Sequence, residues 1–427
     1  MFKYIYLLFF VAPLLILCNV KLTESYLAAE NTPVFTVKSD FNSPFGLKYT
    51  QVPNPFGKLL RDLSFVNNDP LYSLQFDASV RRQRRSAFFS GGNYGQHRPP
   101  MIAQNFYPIN LGMNTGNSPQ TPNIIHPRVL VTVDYSLLKK IGPNTEYALE
   151  YVLSFFLGVN MRYRMLTNPK IRFNIAGIIL AQDDYAVPYV SNSIVDVNLI
   201  DVNSALNNMS SYFNADGRID KSSHDLAVTL TNKLFATVVN NVLGNNGVAG
   251  LAFVKGACGR NRHGLVQDNG GFDGIYFAVH EIAHILGVNH DGHFDGIADK
   301  CERKYVMAPV RPLETNEFEW SACTIAAIRQ FLRMPEAKCL FSPLQNLGRK
   351  VHVLLPGQLL GEDFQCEAAF GSNIKACHGN AKQFCYHLSC KTNPNAATCS
   401  YAFPAAEGTR CEDDNHFCLD GHCTWKP

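Results

Sequence analysis

The chain contains 427 residues, of which 46% are hydrophobic and 17% are charged. This length predicts two or three domains, and the composition is that of a globular protein with a sizeable core. The formal net charge of +3 is too small to favour binding to nucleic acid or to a membrane surface.

The N-terminus has the pattern of a secretory signal peptide. A short cationic start, Met1–Lys3, precedes the uncharged stretch Tyr4–Cys18, which is too short for a comfortable membrane span. We expect a signal peptide over residues 1–25, although no clean A-x-A site marks its end; a retained signal anchor is the alternative. No later stretch is long and apolar enough to cross a bilayer. The prediction is a secreted, extracellular protein with no membrane span in its mature chain.

Cysteine placement agrees with export. The sequence has 13 cysteines, and Cys18 would leave with the signal peptide, so an even number remains for disulfide pairing in an oxidising compartment. None lies between residues 19 and 257, whereas eight lie between residues 366 and 423. This distribution predicts a conventional core followed by a small module held by disulfides.

Residues 26–85 carry no strong hydrophobic period and end in the basic run Arg81–Arg85. The R-x-R-R pattern in this run is typical of sites cut by subtilisin-like processing proteases. We therefore expect a propeptide that ends at Arg85, and a solvated charge run is the alternative. Residues 86–125 are rich in Gly, Pro and Asn, which is the composition of an exposed linker.

Ordered structure is expected from residue 126 onwards. Sequence patterns predict four strands and four helices. The strands are Arg128–Ser136, Lys170–Ala181, Gly250–Val254 and Gly264–Asp268, and the helices are Thr145–Leu166, His224–Gly244, Tyr276–Leu286 and Thr324–Arg333. Alternating strands and helices predict a layered α/β domain over residues 126–342.

One predicted helix carries metal-ligand spacing. His280 and His284 are an i, i+4 pair, which on a helix puts two imidazoles on one face. Glu281 lies close enough to reach a water on the same metal. Gly287 can end the helix in a left-handed conformation, so that His290 supplies a third nitrogen. Three protein ligands leave one position open for water, as is typical of a catalytic zinc ion.

The extended pattern H-E-x-x-H-x-x-G-x-x-H, followed by Met307 within YVMAP, resembles the metzincin zinc peptidases. Met307 would form their Met-turn beneath the ligands, and core filler is the alternative. Asp291, directly after the third histidine, is similar to the adamalysin (reprolysin) branch, which includes venom metalloproteinases, ADAMs and ADAMTS proteases. The resemblance covers residues 126–342. It implies an α/β (α+β) catalytic domain: a twisted, mostly parallel five-stranded sheet surrounded by helices, with zinc at the floor of a cleft.

The resemblance also implies roles for individual parts of the domain. Glu281 would be the general base, and the strand Gly264–Asp268 would border the cleft and pair with an extended substrate. The stretch His224–Ala227 is similar to a helical segment of that branch. The implied disulfides are Cys258–Cys339 and Cys301–Cys323.

Many relatives bind calcium opposite the cleft through an acidic residue in the first strand. Here that position is Arg128, a later asparagine ligand falls near Ser342, and only Asp225 matches a third ligand. One carboxylate beside an arginine is a poor calcium site. We therefore expect this calcium site to be absent, with Arg128 paired to Asp225; calcium elsewhere stays open.

The C-terminal residues 355–427 resemble the disintegrin-like module of ADAMTS proteases, from Gln365-Cys366 to the last cysteines. A clustered His/Cys zinc module is the weaker alternative, because secreted cysteines favour disulfides. There is no RGD tripeptide, and a chain ending at Pro427 is expected to lack thrombospondin-type repeats.

The resulting prediction is a secreted zinc endopeptidase that hydrolyses extracellular proteins, uses one catalytic Zn²⁺ and binds no nucleic acid. The alternative is a catalytically silent protein that binds partners through its cysteine-rich module. Asn208 begins the only N-x-S/T sequon, a candidate glycosylation site. Residues 19–85 contain no cysteine, so a cysteine cannot keep the enzyme latent. Substrate preference, biological setting and oligomeric state stay open.

Overall fold

The computed structural model describes residues 28, 31–40, 46–53, 56, 124–142, 144–239, 242–244, 247–343, 353–379 and 381–425. All of these described residues belong to one compact unit. The predicted signal peptide, the processing site at Arg85 and most of the linker lie outside the described residues. Within the described part, no helix is long and apolar enough to cross a membrane.

A seven-stranded sheet forms the centre of this unit, in the order β12-β13-β9-β4-β6-β1-β2. The four inner pairings from β13 to β1 are parallel, whereas β12 and β2 are antiparallel to their neighbours. The strands are β1 Val34–Ser39, β2 Leu47–Gln51, β4 Arg128–Val133, β6 Asn174–Ala181, β9 Leu226–Thr231, β12 Gly250–Ala252 and β13 His263–Gln267. The sheet therefore has two strands more than the expected five, both from the predicted propeptide.

The parallel strands are buried on both faces, so side chains alternate between two cores. In β4, Val129, Val131 and Val133 enter one core and Leu130 enters the other. The first core also receives helices Thr145–Arg164, Gly274–Ile285 and Ala322–Phe331, and the second receives helix Val202–Ala215. The other helices are Tyr135–Ile141, Pro188–Ser191, Pro356–Leu359, Glu362–Phe370 and Ala381–Phe384.

The predicted helix His224–Gly244 is wrong. The stretch forms β9, β10 (Leu234–Val239) and β11 (Val242–Gly244) instead, so His224–Ala227 is not helical either. Its residues are rich in valine and threonine, whose branched Cβ favours strands, and β9 lies in the middle of the sheet between β4 and β13. Burial between two parallel strands therefore outweighs the helix-like spacing of its leucines.

The predicted strand Lys170–Ala181 is interrupted. It forms β5 (Lys170–Ile171), which pairs with β3 (Ile124–Ile125), and then β6. At the break, the Asn160 side chain accepts a bond from Phe173 N and donates one to Phe173 O. A smaller sheet in the order β11-β10-β8-β7 adds β7 (Ile194–Asp196) and β8 (Leu199–Asp201).

The C-terminal region has its own small core, which contains buried cysteines. Two hairpins form it, β14–β15 (Leu388–Lys391 with Cys399–Phe403) and β16–β17 (His416–Leu419 with His422–Trp425). Four disulfides cross this core: Cys366–Cys390, Cys377–Cys399, Cys385–Cys418 and Cys411–Cys423. Such dense cross-linking compensates for a core too small to be stable alone.

Candidate metal centre

The helix Gly274–Ile285, called the motif helix below, is anchored at its N-terminus by a buried carboxylate. Asp268 Oδ2 accepts a bond from Gly274 N at 3.0 Å, and Asp268 Oδ1 accepts one from the Tyr151 hydroxyl at 2.5 Å. The Tyr151 ring stacks on Phe272, with centroids 4.3 Å apart. This arrangement fixes where the helix starts. Sequence reasoning missed it, because Asp268 at the end of a predicted strand gave no signal of a capping role.

Three histidines converge at the other end of the motif helix. The Nε2 atoms of His280 and His284 are 3.1 Å apart, those of His284 and His290 are 3.1 Å apart, and those of His290 and His280 are 3.0 Å apart. Zinc–imidazole bonds of about 2.0–2.1 Å place one ion within reach of three nitrogens so spaced. The three residues form a group able to hold a single metal ion, and their nitrogens suit zinc.

Backbone carbonyls orient two of these rings. His280 Nδ1 donates to Val306 O at 2.8 Å, and His284 Nδ1 donates to Val288 O at 2.7 Å. With the proton held on Nδ1, each Nε2 keeps a free lone pair for a metal. Burial also lowers the pKa of His280 to about 4, so this ring is neutral at physiological pH, as a metal ligand must be.

A glycine turn brings the third histidine back to the first two. Gly287 has φ +97°, and a Cβ at this position would lie 2.7 Å from Phe331 Cβ. Gly287 N donates to His284 O, and Val288 N donates to Ala283 O. Only glycine satisfies both the left-handed backbone and the close packing. Residue 287 therefore ends the helix and directs the chain towards His290.

The segment around Met307 bonds to the chain directly after His290. Met307 is fully buried, its carbonyl accepts from Asp291 N at 2.8 Å, and Ala308 N donates to Tyr305 O to form a tight turn. Asp291 Oδ1 in turn accepts from the Ser321 hydroxyl at 2.7 Å, and Ser321 caps the helix Ala322–Phe331. Asp291 thus ties the third-histidine loop to both the Met307 turn and a neighbouring helix.

Glu281 lies buried against the backbone of the edge strand. A Cβ built on Gly250 in β12 would lie 2.6 Å from Glu281 Cγ, so this contact requires glycine. Burial raises the pKa of Glu281 to about 8. A carboxyl group with such a pKa is suited to exchanging protons near neutral pH. The sequence gives no hint of this contact, because residues 250 and 281 approach only in the folded sheet.

The expected ion pair between Arg128 and Asp225 is present. Arg128 Nη2 lies 2.6 Å from Asp225 Oδ1, and Arg128 Nε and backbone N donate to Asp225 Oδ2 at 3.2 and 2.8 Å. The Asp225 side chain is completely buried. A guanidinium occupies its two oxygens, so they are not available to a calcium ion.

Two disulfides brace the region of the motif helix, Cys258–Cys339 and Cys301–Cys323. Cys258 N donates to Asp225 O, and Ala257 N donates to Ile285 O. The first disulfide therefore lies next to the end of the motif helix. The eight C-terminal cysteines are all paired, which leaves no free thiolate there for the alternative zinc module.

The C-terminal module packs beside the start of the motif helix. Arg162 Nη2 lies 2.8 Å from Glu407 Oε1, and the Arg162 guanidinium lies 3.8 Å from the Phe318 ring centroid. Residues 404–407 line a crevice together with residues 272–273 and 275–276. The remaining predicted site, Asn208, is exposed on helix Val202–Ala215.

Comparison with known proteins assigns a class to this fold and metal centre. Residues 149–291 match the model of the reprolysin-like metallo-peptidase family M12B, and residues 356–424 match that of the ADAMTS cysteine-rich domain 2. The chain therefore carries a reprolysin-like metallopeptidase domain followed by an ADAMTS cysteine-rich domain.

The relatives are ADAMTS-like and venom metalloproteinases. A Bombyx mori protein named "A disintegrin and metalloproteinase with thrombospondin motifs like" is 34% identical over 71% of this chain and 45% of its own length. Venom metalloproteinase 3 of Eulophus pennicornis is 27% identical over 53% of this chain and 56% of its own. The human protein named "A disintegrin and metalloproteinase with thrombospondin motifs 6" is 31% identical over 47% of this chain and 18% of its own length. The chain thus spans between 18% and 56% of the length of these three relatives.

Proposed function

We propose that this protein is a secreted zinc-dependent endopeptidase acting on extracellular proteins. The observation that carries the proposal is the convergence of three Nε2 atoms within 3.0–3.1 Å, next to the buried carboxyl of Glu281. Family membership supports the metalloprotease class. The proposed ligands are His280, His284 and His290.

A zinc ion bound by these histidines would supply a Lewis acid for the scissile carbonyl and would lower the pKa of a water. Glu281 accepts a proton from the attacking water and later donates one to the leaving amine. Burial raises the pKa of Glu281 to about 8, which makes its carboxylate a stronger base for the first of these transfers. The carbonyls of Val306 and Val288 orient the imidazoles of His280 and His284, and burial keeps both rings neutral by lowering their pKa.

The edge strand β12 is the proposed substrate-binding strand. The expectation that Gly264–Asp268 pairs with substrate is wrong, because β13 already pairs with β9 on one side and β12 on the other. Among the described residues, β12 has no strand on its outer edge. An extended peptide can pair with that edge through main-chain hydrogen bonds, on the strand whose Gly250 lies against Glu281.

The further proposals concern processing and domain boundaries. We propose that a signal peptide within residues 1–25 is removed and that the chain is cleaved after Arg85. The remaining chain would consist of a linker over 86–125, a catalytic domain over 126–342 and a cysteine-rich module over 355–427. The exposed side chain of Asn208 is accessible to glycosylation.

The test is Glu281→Gln in the processed protein. We expect hydrolysis of casein or gelatin to fall by about 100-fold or more, since general acid–base catalysis contributes roughly 10²–10⁴, while zinc content measured by mass spectrometry stays at the parent level. Glu336→Gln is the matched control, because Glu336 is exposed, and it should retain full activity.

Two outcomes would contradict the proposal. Parent-level hydrolysis by Glu281→Gln would show that this carboxyl is not the base. A well-folded parent protein that is zinc-free and inactive would instead favour the alternative function, a binding protein that acts through its cysteine-rich module.

A further inference from the structure

The N-terminal strands β1 and β2 extend the sheet at the edge formed by β6. β1 lies parallel to β6, with Val34 opposite Ile178. Ile178 N donates to Pro33 O at 3.0 Å, and Gln182 N donates to Val37 O at 2.8 Å. β2 then covers β1 as an antiparallel outer strand. Main-chain bonds of this kind give an added strand its affinity for a sheet edge.

Side chains of this segment enter both cores of the protein. Val34 and Phe56 are completely buried in the core on one face of the sheet. Val37 and Leu47 are 1% and 4% exposed in the core on the other face. The segment thus contributes apolar side chains to the interior, where close packing makes their loss costly.

Polar contacts anchor the ends of both strands. Asp183 Oδ2 accepts from Ser39 N at 2.7 Å and from Ser39 Oγ at 3.0 Å. Arg218 Nη1 donates to Leu47 O at 3.0 Å, and its guanidinium lies 4.5 Å from the Tyr49 ring centroid. Asp183 and Arg218 lie far along the chain from β1 and β2, so these contacts form only when the chain folds.

We propose that β1 and β2 are a permanent part of the sheet and stay bound non-covalently when the chain is cut between them and residue 124. The reason lies in β6, the strand whose edge β1 covers. β6 is buried almost throughout, and without β1 it would present a long apolar edge with unpaired N–H groups, a template for aggregation. This proposal does not depend on protease activity.

The position of the segment also separates it from the metal centre. Five strand spacings lie between β12, next to Glu281, and β1. At about 4.8 Å each, this is about 24 Å along the sheet. β1 and β2 therefore complete the sheet at the edge far from β12, so occlusion of the cleft is not their role.

The experiment is native cleavage of the full chain. A recognition sequence for a specific protease replaces Arg82–Arg85, the purified protein is cut in native buffer, and the products are separated by size-exclusion chromatography. We expect the N-terminal fragment to co-elute with the larger fragment and to separate from it in denaturant. A fragment that elutes alone, or a remainder that aggregates after the cut, would overturn the proposal.

Two adjacent residues of β1 provide a matched pair of variants. Val37 is buried and Lys38 is exposed. Val37→Asp should lower the co-eluting fraction by about tenfold or more, because it buries a charge, whereas Lys38→Asp should leave that fraction unchanged. Equal retention in the two variants would overturn the proposed docking.

Hydrogen exchange of the cut parent protein tests the same contact if Val37→Asp does not fold. The amides of Ile178 and Gln182 are protected by bonds to Pro33 and Val37. If the segment stays seated, their exchange in the cut protein should match that in the uncut protein. Rapid exchange in the peptide containing residues 178–182 would overturn the proposal, and neither experiment depends on catalysis.

Discussion

Replacement of Gly250 by alanine tests whether the edge strand holds the carboxyl of Glu281 in place. A Cβ on residue 250 would lie 2.6 Å from Glu281 Cγ and 2.8 Å from its carboxyl carbon. Ordinary contacts between carbon atoms are about 3.5–4.0 Å. Either Glu281 or β12 must therefore move by about 1 Å to accept the methyl group.

A shift of that size is large for a catalytic group, because about 1 Å of misplacement can cost on the order of 100-fold in rate. We expect Gly250→Ala to lower kcat/KM by about 100-fold, mainly through kcat. The backbone carbonyls of Val306 and Val288 orient His280 and His284, whereas the three atoms nearest to a Cβ on residue 250 all belong to Glu281. Zinc content should therefore stay at the parent level.

The assay combines three measurements on one preparation: kcat and KM with a fluorogenic peptide, zinc content, and thermal unfolding. Gly217→Ala is the control, because a Cβ on residue 217 would meet no atom within 4 Å. Parent-level kcat/KM in folded, zinc-loaded Gly250→Ala would refute the positioning role. Loss of zinc in that variant would refute the separation of base and ligands.

Four further predictions concern stability and metal. Arg128→Met should lower the free energy of unfolding in urea by about 3–5 kcal/mol, because it removes the guanidinium that bonds both oxygens of buried Asp225. Arg128→Met/Asp225→Leu should recover most of that loss, and equal stability of the single and double variants would contradict this. Gly287→Ala should cost about 2–4 kcal/mol through its left-handed backbone and a Cβ contact of 2.7 Å, and an unchanged urea midpoint would contradict this. Chelation should abolish hydrolysis and added zinc should restore it, whereas persistent hydrolysis by metal-free protein would exclude the zinc mechanism. Burial, followed by the charge of Asp268, raises the pKa of Asp273 from 3.8 to about 8. Between these two pH values the folded state keeps a proton that the unfolded state loses, so the free energy of unfolding should fall as the pH rises from 3.8 to about 8. Asp273→Asn should flatten this pH dependence, measured by urea unfolding.

The sequence predicts the local geometry of the metal centre well. The i, i+4 spacing of His280 and His284 is a property of any helix, and the expected helix over 276–286 is observed as Gly274–Ile285. The turn at Gly287 also follows from local backbone freedom. These features need only a few consecutive residues, so a pattern in the sequence is enough to predict them.

Prediction from sequence fails where distant strands meet. His224–Gly244 has apolar residues at helical spacing, yet β9 lies between β4 and β13 in the sheet. The choice between helix and strand there depends on burial between neighbours that are remote in sequence. The edge position of β12, and hence the substrate strand, depends on the same pairing.

The sequence by itself determined the three-histidine motif, the class of protein and the abundance of disulfides, because spacing within a helix and cysteine counts are local or compositional properties. Only the tertiary structure decided that Val34–Ser39 joins the sheet beside β6, that Gly250 lies against Glu281, and that Asp268 anchors the motif helix. Each of these is a contact between segments far apart in the chain. Such contacts are selected by shape, burial and hydrogen bonding in the folded state, and no short pattern in the sequence encodes them.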